Sequence, residues 1–514
     1  MSVHASGLEF AVAPDRVIRT HANIVLLVGE RAYKLKKPVK YPFLDYSTLE
    51  LRRKFIQAEY TLNHRFSPDI YQGVCTVRRQ GNELVFGEVV TSLPEPGDEI
   101  DYAVVMTRIP DDAWLPETMK RGLSDHDMLN LMGLLATTWA AHPADDATRA
   151  AGLPANLRMN TVANIAECER FVPLCLSREA WMRLDALLRE WFEAHADVFE
   201  ARVALDHIRD GHGDLKPSNI AFIDGKPVVT DCIEFNPQFR RIDTLAEAGF
   251  LATGMEQLGR FDLSAGVFAA YAKATGDAYP EPLRRYYQAH LACVMGKVTA
   301  LQLDDPEISE QQRAHAVARA AHNFALADFH AREPHVLVVA GIMGCGKSTV
   351  AGVLARHFGW PVVSSDVERK RLMGVKPEER LPESAYTDEV SRAVYDALFD
   401  AVRRAGQGVI LDGQFPAREF RARATQAAAA RGGQLAFIHC DAPDDVVRER
   451  MRNRVLDPSR VSDATAEMLG HARARFQRVA GDEGLQVITF DTRQDAAAIV
   501  SVVQRALLGE AFKP

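Results

Sequence analysis

The stretch His335–Thr349, HVLVVAGIMGCGKST, constrains this chain more than any other. A short apolar run, Val336–Ala340, ends in Gly341-Ile-Met-Gly-Cys-Gly-Lys-Ser, which fits G-x-x-x-x-G-K-[ST] without a mismatch. Gly341, Gly344 and Gly346 let the backbone bend tightly and turn several N–H groups toward one point. A helix starting near Lys347 adds its positive dipole end. Lys347 then reaches the β/γ-phosphates of a nucleotide, and the Ser348 hydroxyl holds Mg2+. Gly341, Gly344, Cys345, Gly346, Lys347, Ser348 and Thr349 are therefore expected to form a nucleotide-binding loop. An ordinary Gly-rich turn would need neither the strand before it nor the helical AGVLARHF after it.

The chain before residue 334 must be explained as something attached to this module. At 514 residues, about three domain-sized units are expected. Apolar content of 47% and charged content of 25% are those of an ordinary globular protein. The net charge of −8 disfavours a general nucleic-acid binder and leaves a local basic patch open. Seven cysteines without a C-x-x-C pair point to reduced thiols rather than a disulfide frame or a zinc site. MSVHASGLEF lacks a basic region followed by an apolar core, so no secretory leader is expected. No apolar run approaches the roughly 18 residues of a membrane helix, so a cytoplasmic protein without membrane partners is expected.

Residues 1–108 read as strands around one helix. NIVLLV (Asn23–Val28), the turn Gly29-Glu30 and RAYKLKK (Arg31–Lys37) form a hairpin, with Lys34 and Lys36 on one strand face. Arg52–Phe66 reads as a helix carrying Phe55, Ala58, Glu59 and Leu62 at helical spacing. A strand lysine followed by a helical glutamate is how kinase-like folds hold ATP phosphates, although a solvated basic strand beside a surface helix has the same pattern. A further hairpin is expected at Val74–Val77 and Leu84–Val89, then an apolar strand at Tyr102–Arg108.

Helical patterns dominate 109–332, at Asp125–Ala141, Val162–Phe171, Arg178–Ala201, Glu281–Leu303 and Ser309–His330. Among them lies His212-Gly-Asp214-Leu-Lys-Pro-Ser-Asn219, followed by a hairpin that ends in Asp231. This is a phosphotransfer layout. Asp214 accepts the proton of an attacking hydroxyl, while Asn219 and Asp231 hold Mg2+ on the nucleotide phosphates. The alternative is a polar turn capped by Asp and Asn.

On HGDLKPSN…TDCIEF and AYKLKK, the chain from about residue 20 to 330 resembles the aminoglycoside phosphotransferase family, a branch of the bilobal protein-kinase-like fold. The resemblance implies that Asp214 is the base, that Asn219 and Asp231 are metal ligands, and that Lys34 pairs with Glu59, with Lys36 as the second choice. It makes Asp243 structural. No Gly-rich phosphate loop precedes Asn23, where the chain reads VIRTHAN.

In 334–514, strand candidates alternate with helices: Val336–Ala340, Pro361–Ser364, Gly408–Leu411, Leu435–Cys440 and Leu485–Phe490. That alternation implies a parallel sheet with helices on both faces, its ligands at the C-terminal strand ends. Asp412 is placed to order Mg2+, and Asp366 to meet a substrate hydroxyl; a helix N-cap is the other reading of either. Arg450 and Arg454 share a helix face and could neutralise a transferring phosphoryl group from a lid, or merely face solvent. GIMGCGKST, SSDVERKRL, VILDGQF and RERMRNR…SDA resemble the small P-loop kinases: gluconate kinase, chloramphenicol phosphotransferase, polynucleotide kinase and zeta toxins.

The fold expected is thus α/β and α+β, with 1–108 and 109–332 as the two lobes of a kinase-like domain and 334–514 as a P-loop domain. The leading functional expectation is a bifunctional ATP- and Mg2+-dependent phosphotransferase acting on hydroxyls of sugar-like or aminoglycoside-like small molecules. A second expectation is a 5′-polynucleotide or nucleotide-sugar kinase whose N-terminal half selects or regulates; RKRL and RERMRNR keep nucleic acid open there. A third is a nucleotide-switched scaffold without catalysis.

Overall fold

A computed structural model describes residues 9–10, 14–41, 44–81, 83–305, 307–376, 378–406, 408–454 and 462–512. The chain gathers into two compact units. One comprises Met1–Asn160, Phe192–Met255 and Gly266–Tyr279; the other comprises Thr161–Trp191, Glu256–Ala265 and Pro280–Pro514. This division departs from the boundary expected between 332 and 334, because the helices preceding the P-loop strand join the P-loop unit. The reason is local. The helix Glu310–Ala331 runs almost directly into the strand Glu333–Ala340, with only Arg332 between them. Phe329 at the helix end stacks on His335 at 4.4 Å, and Phe261 packs against Phe329, Phe358 and Phe512. Shared aromatic burial ties these segments together more strongly than chain order separates them.

The first unit holds a seven-stranded sheet in the spatial order Glu9–Phe10, Glu83–Phe86, Tyr71–Gln80, Asp101–Thr107, Arg31–Lys36, Asn23–Val28, Arg16–Arg19. The turn between the two strands around the lysines needs a left-handed residue, supplied by Gly29 at φ +54°. Register pairs Val25 with Lys34 and Asn23 with Lys36, so both lysines leave the same face. The helix Leu49–His64 begins at Thr48, whose hydroxyl accepts the Leu51 N–H. It buries Ile56 and Tyr60 against Val74 and Val104 of the sheet. Further on, Ile208–Asp210 pairs with Arg241–Asp243, and Ile220–Ile223 forms a hairpin with Lys226–Val229. The loop carrying His212, Asp214 and Asn219 hangs between these two ladders.

The helix expected over Arg178–Ala201 is interrupted. It runs as Arg178–Asp185, a π-helical segment Ala186–Trp191, a short turn Phe192–Ala194, and Ala196–Ala204. The chain changes compact unit at Trp191/Phe192, within that interruption. The helix expected from Val162 occupies Pro154–Cys168.

The second unit is built on a five-stranded parallel sheet in the order Val362–Ser364, Val409–Asp412, Glu333–Ala340, Gly433–Asp441, Gln486–Asp491. All five strands lie where apolar runs predict them. Val336, Val338 and Ala340 pack with Val394, Leu398 and Phe399 of the helix Asp388–Arg404 and with Ala424 of the helix Arg418–Ala429. Leu337 and Val339, on the opposite face, are equally buried. Burial on both faces is why these strands read as unbroken apolar runs. Among the described residues no helix is long and apolar enough to cross a membrane.

Two consequences are measurable. Arg421, fully buried, holds Glu483 by two 2.7 Å bonds and also donates to the Phe415 and Gln477 carbonyls. Arg421→Ala strands the Glu483 carboxylate in the interior and should cost about 3–5 kcal/mol in denaturant unfolding. His335 is depressed to about 3 by burial, and among the described residues its Nδ1 has no hydrogen-bond partner. The unfolded chain protonates at the ordinary 6.5, so this contribution is complete above pH 6.5 and is lost as pH falls from there toward 3. His335→Phe should therefore flatten the fall of the melting midpoint across that window.

Candidate functional site

The loop Gly341–Gly346 leaves the central strand and closes onto the helix Lys347–Phe358. Two of its glycines are required by contact as well as conformation. A Cβ on Gly341 (φ +140°) would lie 2.3 Å from the Cys440 carbonyl oxygen, and one on Gly344 (φ +75°) 2.7 Å from Met451 Cγ. Lys347 Nζ donates to the Ile342 carbonyl at 2.8 Å, folding the ammonium back over the loop. The Ser348 hydroxyl donates to Asp412 Oδ2 at 2.8 Å. Asp412 ends the strand Val409–Asp412, so the pair stands at the C-terminal edge of the sheet. Hydroxyl and carboxylate form an all-oxygen donor set, which fits Mg2+ completed by water and phosphate oxygens.

Beside the loop lies a cavity of about 400 Å³ lined by Gly344, Gly346, Thr349, Arg450, Asn453 and Thr492, among others. Arg450 donates to Thr492 Oγ1 at 2.8 Å and to the Thr492 carbonyl at 2.7 Å. The Thr492 hydroxyl in turn donates to the Cys345 carbonyl at 2.6 Å. Arg450 is thus fixed to the flank of the loop and lines the cavity, where either a lid position or a solvent-facing one was expected. The Cys345 side chain is buried, so this residue serves through its backbone. The Arg454 side chain lies outside the described residues.

On the other flank, register pairs Ser364 with Asp412. Asp366 and Gln414 each lie two residues beyond that pair, and the Gln414 carbonyl accepts the Gly341 N–H. Asp366, half-buried in the first turn of Ser365–Leu372, is within electrostatic reach of Tyr386 and Tyr395. Arg369 donates to the Ala385 carbonyl at 2.8 Å and stacks over the Tyr386 ring, while the Arg371 guanidinium is held by Glu368. Tyr386 donates to Asp463 at 2.7 Å, which brings the S-D-A segment to this flank. Phe415 adopts φ +47°, costly for a residue with a side chain, and its N–H is held by the Tyr395 hydroxyl. Thr492, Gln414 and Tyr386 were not foreseen; each sits just past a strand end or in a turn, and position after a strand was the signal available.

The first unit holds a second cluster. Lys34 Nζ lies 2.7 Å from Glu59 Oε1, without hydrogen-bond angles, and 2.5 Å from Asp231 Oδ1. Burial works against the Lys34 charge, but Asp231 and Glu59 outweigh it and raise the ammonium well above its usual range. Lys34 in turn holds Asp231 well below the usual carboxylate range. Both lysines reach Glu59, since Lys36 Nζ lies 2.8 Å from Oε2. Asp214 faces Lys216 at 2.5 Å and accepts from Asn219 Nδ2 at 3.1 Å; burial raises its carboxyl, with the Asp231 charge adding to the rise. His212 is depressed to about 4 by burial and is neutral near pH 7, with Nε2 at 2.9 Å from the Thr230 carbonyl. Glu247 accepts the His212 and Gly213 N–H groups and Trp139 Nε1, pinning the loop's base. Asp243 receives two 2.8 Å bonds from Arg202 and supports the loop from below.

Comparisons with known proteins add the following. A family model described as AAA domain matches residues 336–479. The Mycobacterium tuberculosis protein Rv2004c is 30% identical over 470 residues, 89% of each chain. A shikimate kinase of Rhizobium leguminosarum bv. trifolii is 26% identical over 163 residues, covering 32% of this chain and 79% of that protein. A solved gluconokinase from Sinorhizobium meliloti 1021 shows 22% identity over 34% of this chain and 93% of that chain, with a TM-score of 0.27.

The Thr492 hydroxyl joins Arg450 to the loop backbone. Thr492→Val removes one bond on each side, each worth about 0.5–1.5 kcal/mol. Magnesium–nucleotide affinity at the P-loop, followed by calorimetry, should weaken roughly tenfold, and the melting midpoint should fall by a few degrees.

Proposed function

This chain belongs to the family of the Mycobacterium tuberculosis protein Rv2004c, and we propose that it is a bifunctional ATP-dependent kinase with one Mg–ATP site in each compact unit. Both sites transfer phosphate to hydroxyl groups of small, sugar-like molecules. The observation that carries the bifunctional reading is the meeting of Lys34, Glu59 and Asp231. Three separate parts of the chain converge on one ammonium, beside a loop in which Asp214 and Asn219 touch. A structural role alone does not call for a half-exposed carboxylate at Asp231 in a left-handed conformation.

In the second unit, backbone N–H groups of the loop and Lys347 bind the triphosphate. Ser348 and Asp412 hold Mg2+, which offsets phosphate charge when bound. Asp366 orients the acceptor hydroxyl and takes its proton. Arg450 and Thr492 shape the nucleotide cavity. The likeness to a shikimate kinase supports a small polyhydroxylated acceptor for this unit.

In the first unit, which we read as an aminoglycoside phosphotransferase-like domain, Lys34 braced by Glu59 binds the α/β-phosphates. Asn219 and Asp231 hold Mg2+, and Asp214 accepts the proton of the acceptor hydroxyl. Neutral His212 and Glu247 fix the loop that presents Asp214.

The test is a mass-spectrometric screen of cell metabolites incubated with protein and ATP, scoring gain of one phosphoryl group. Two products are expected, one lost in Asp214→Asn and the other in Asp366→Asn, each by about a hundredfold or more in rate. A single product insensitive to Asp214→Asn would sink the bifunctional reading. A phosphorylated oligonucleotide end in place of a small product would favour the polynucleotide kinase alternative. The Asp214 carboxyl is raised above 3.8, and a base must be ionised to act. The Asp214-dependent rate should therefore fall, as pH is lowered, at a higher pH than an ordinary carboxylate would give.

A further inference from the structure

Glu59 is 0% exposed, and its two oxygens face two different lysines. Lys34 Nζ is 2.7 Å from Oε1, and Lys36 Nζ is 2.8 Å from Oε2. The lysines leave the same strand face, and beyond Glu59 their partners differ. Lys34 reaches Asp231; Lys36 reaches Glu234, three residues further along the same segment. The Tyr46 hydroxyl also donates to Glu234, and its ring stands 4.4 Å from the Lys36 ammonium. The two halves of this network differ in exposure. The Asp231 side chain is 48% exposed, whereas Glu234 is 7% and Lys36 1% exposed. One lysine therefore serves an open edge, and the other is sealed behind it.

The segment these lysines hold is strained. Asp231 has φ +67°, a left-handed conformation that a non-glycine residue keeps only when its surroundings enforce it. Three clamps do so: the Asp231 N–H donates to the Tyr71 hydroxyl at 3.2 Å, the Cys232 N–H to Asn63 Oδ1 at 2.9 Å, and Lys36 holds Glu234. The first two fix the start of the segment, and Lys36 fixes its end.

We propose that Lys36 is a positioning residue of the first unit's nucleotide site, bracing Glu59 from behind and clipping the Asp231–Glu234 segment to the sheet. This rests on the reading of that unit as a kinase. Two cations here face three carboxylates: Lys34 and Lys36 against Glu59, Asp231 and Glu234. Nucleotide phosphates draw on Lys34, and a bound metal draws on Asp231. Glu59 then keeps a full cationic partner only through Lys36. Without Lys36, two buried carboxylates compete for Lys34 and pull its ammonium inward, away from the phosphates. The Asp231 segment also keeps only the Tyr46 hydroxyl on Glu234 at its far end, so the metal-facing carboxylate drifts. The direct contacts of the site thus depend on a lysine that touches neither nucleotide nor metal.

The test uses the full-length chain with Lys347→Ala, which silences the P-loop site, and reads binding of the ATP analogue AMPPNP by calorimetry across a Mg2+ titration, alongside thermal unfolding. Lys36→Met should weaken binding roughly 10–100-fold, the usual effect of removing a residue that orients a metal ligand, and raise the Mg2+ requirement. It should also lower the melting midpoint, so a charge-matched variant separates the two effects. Lys36→Met with Glu234→Gln should recover the midpoint and leave affinity low. If affinity returns with the midpoint, Lys36 serves the fold only and the proposal is overturned. Lys34→Met reports on the underlying reading. If it binds Mg–AMPPNP as the parent does, there is no nucleotide site here and both ideas fall. If Lys34→Met loses binding while Lys36→Met keeps it, only the role of Lys36 is lost.

Discussion

A charge removed from water must be balanced inside the protein, and this constraint organises the first compact unit. Glu59 is carried into the interior by a helix that buries Ile56 and Tyr60 against the sheet, and side chains compensate it there. Two lysines on one strand face do so, and their remaining donors reach Asp231 and Glu234. Sheet, helix and loop are thereby tied at one point. The same rule recurs beneath the Asp214 loop. Glu247, buried, takes two backbone N–H groups and the Trp139 indole, while Arg202 satisfies Asp243 and Asp277 together. Burial and pairing leave Glu59 depressed, since the two ammoniums outweigh desolvation, and leave Asp214 raised, since burial there outweighs Lys216. One carboxylate is kept ionised as a brace; the other is kept basic.

The second unit solves a different problem. A parallel sheet buried on both faces gathers its polar chemistry at one edge, where strands end and helices begin. The P-loop, Asp412, Asp366, Gln414 and Thr492 all emerge at C-terminal strand ends. Close approach is possible because Gly341 lies against the Cys440 carbonyl and Gly344 against Met451. Arg421 and Glu483 hold the Phe415 turn from beneath, so a buried ion pair again supports a segment at the end of a strand.

Much of this was legible in residues 334–514. Five apolar runs became five strands, and the loop between the first strand and first helix lies where its glycines and lysine require. Legibility came from local rules: a buried parallel strand is a continuous apolar run, and a phosphate loop needs glycine at set intervals. The helical region was less legible. The segment from Arg178 looked like one helix, yet it is interrupted where the chain passes between compact units. Periodicity carries no record of such an interruption. Arg450 illustrates the same limit, since helical spacing fixed its face but not the threonine it holds.

The sequence alone therefore determined the nucleotide loop, the parallel sheet behind it, and the residue types of the HGDLKPSN loop, because each depends on neighbours a few residues apart. Tertiary structure alone decided which helices pack with the P-loop unit, and that Phe329, His335 and Trp360 bind them there. It also gave Lys34 and Lys36 different partners beyond the Glu59 they share. Their spacing put both on one face and could not distinguish them, because the distinction lies in partners some two hundred residues away. One lysine faces an open edge with Asp231, the other a sealed one with Glu234. Only folding brings those carboxylates to the strand and gives two like residues different surroundings.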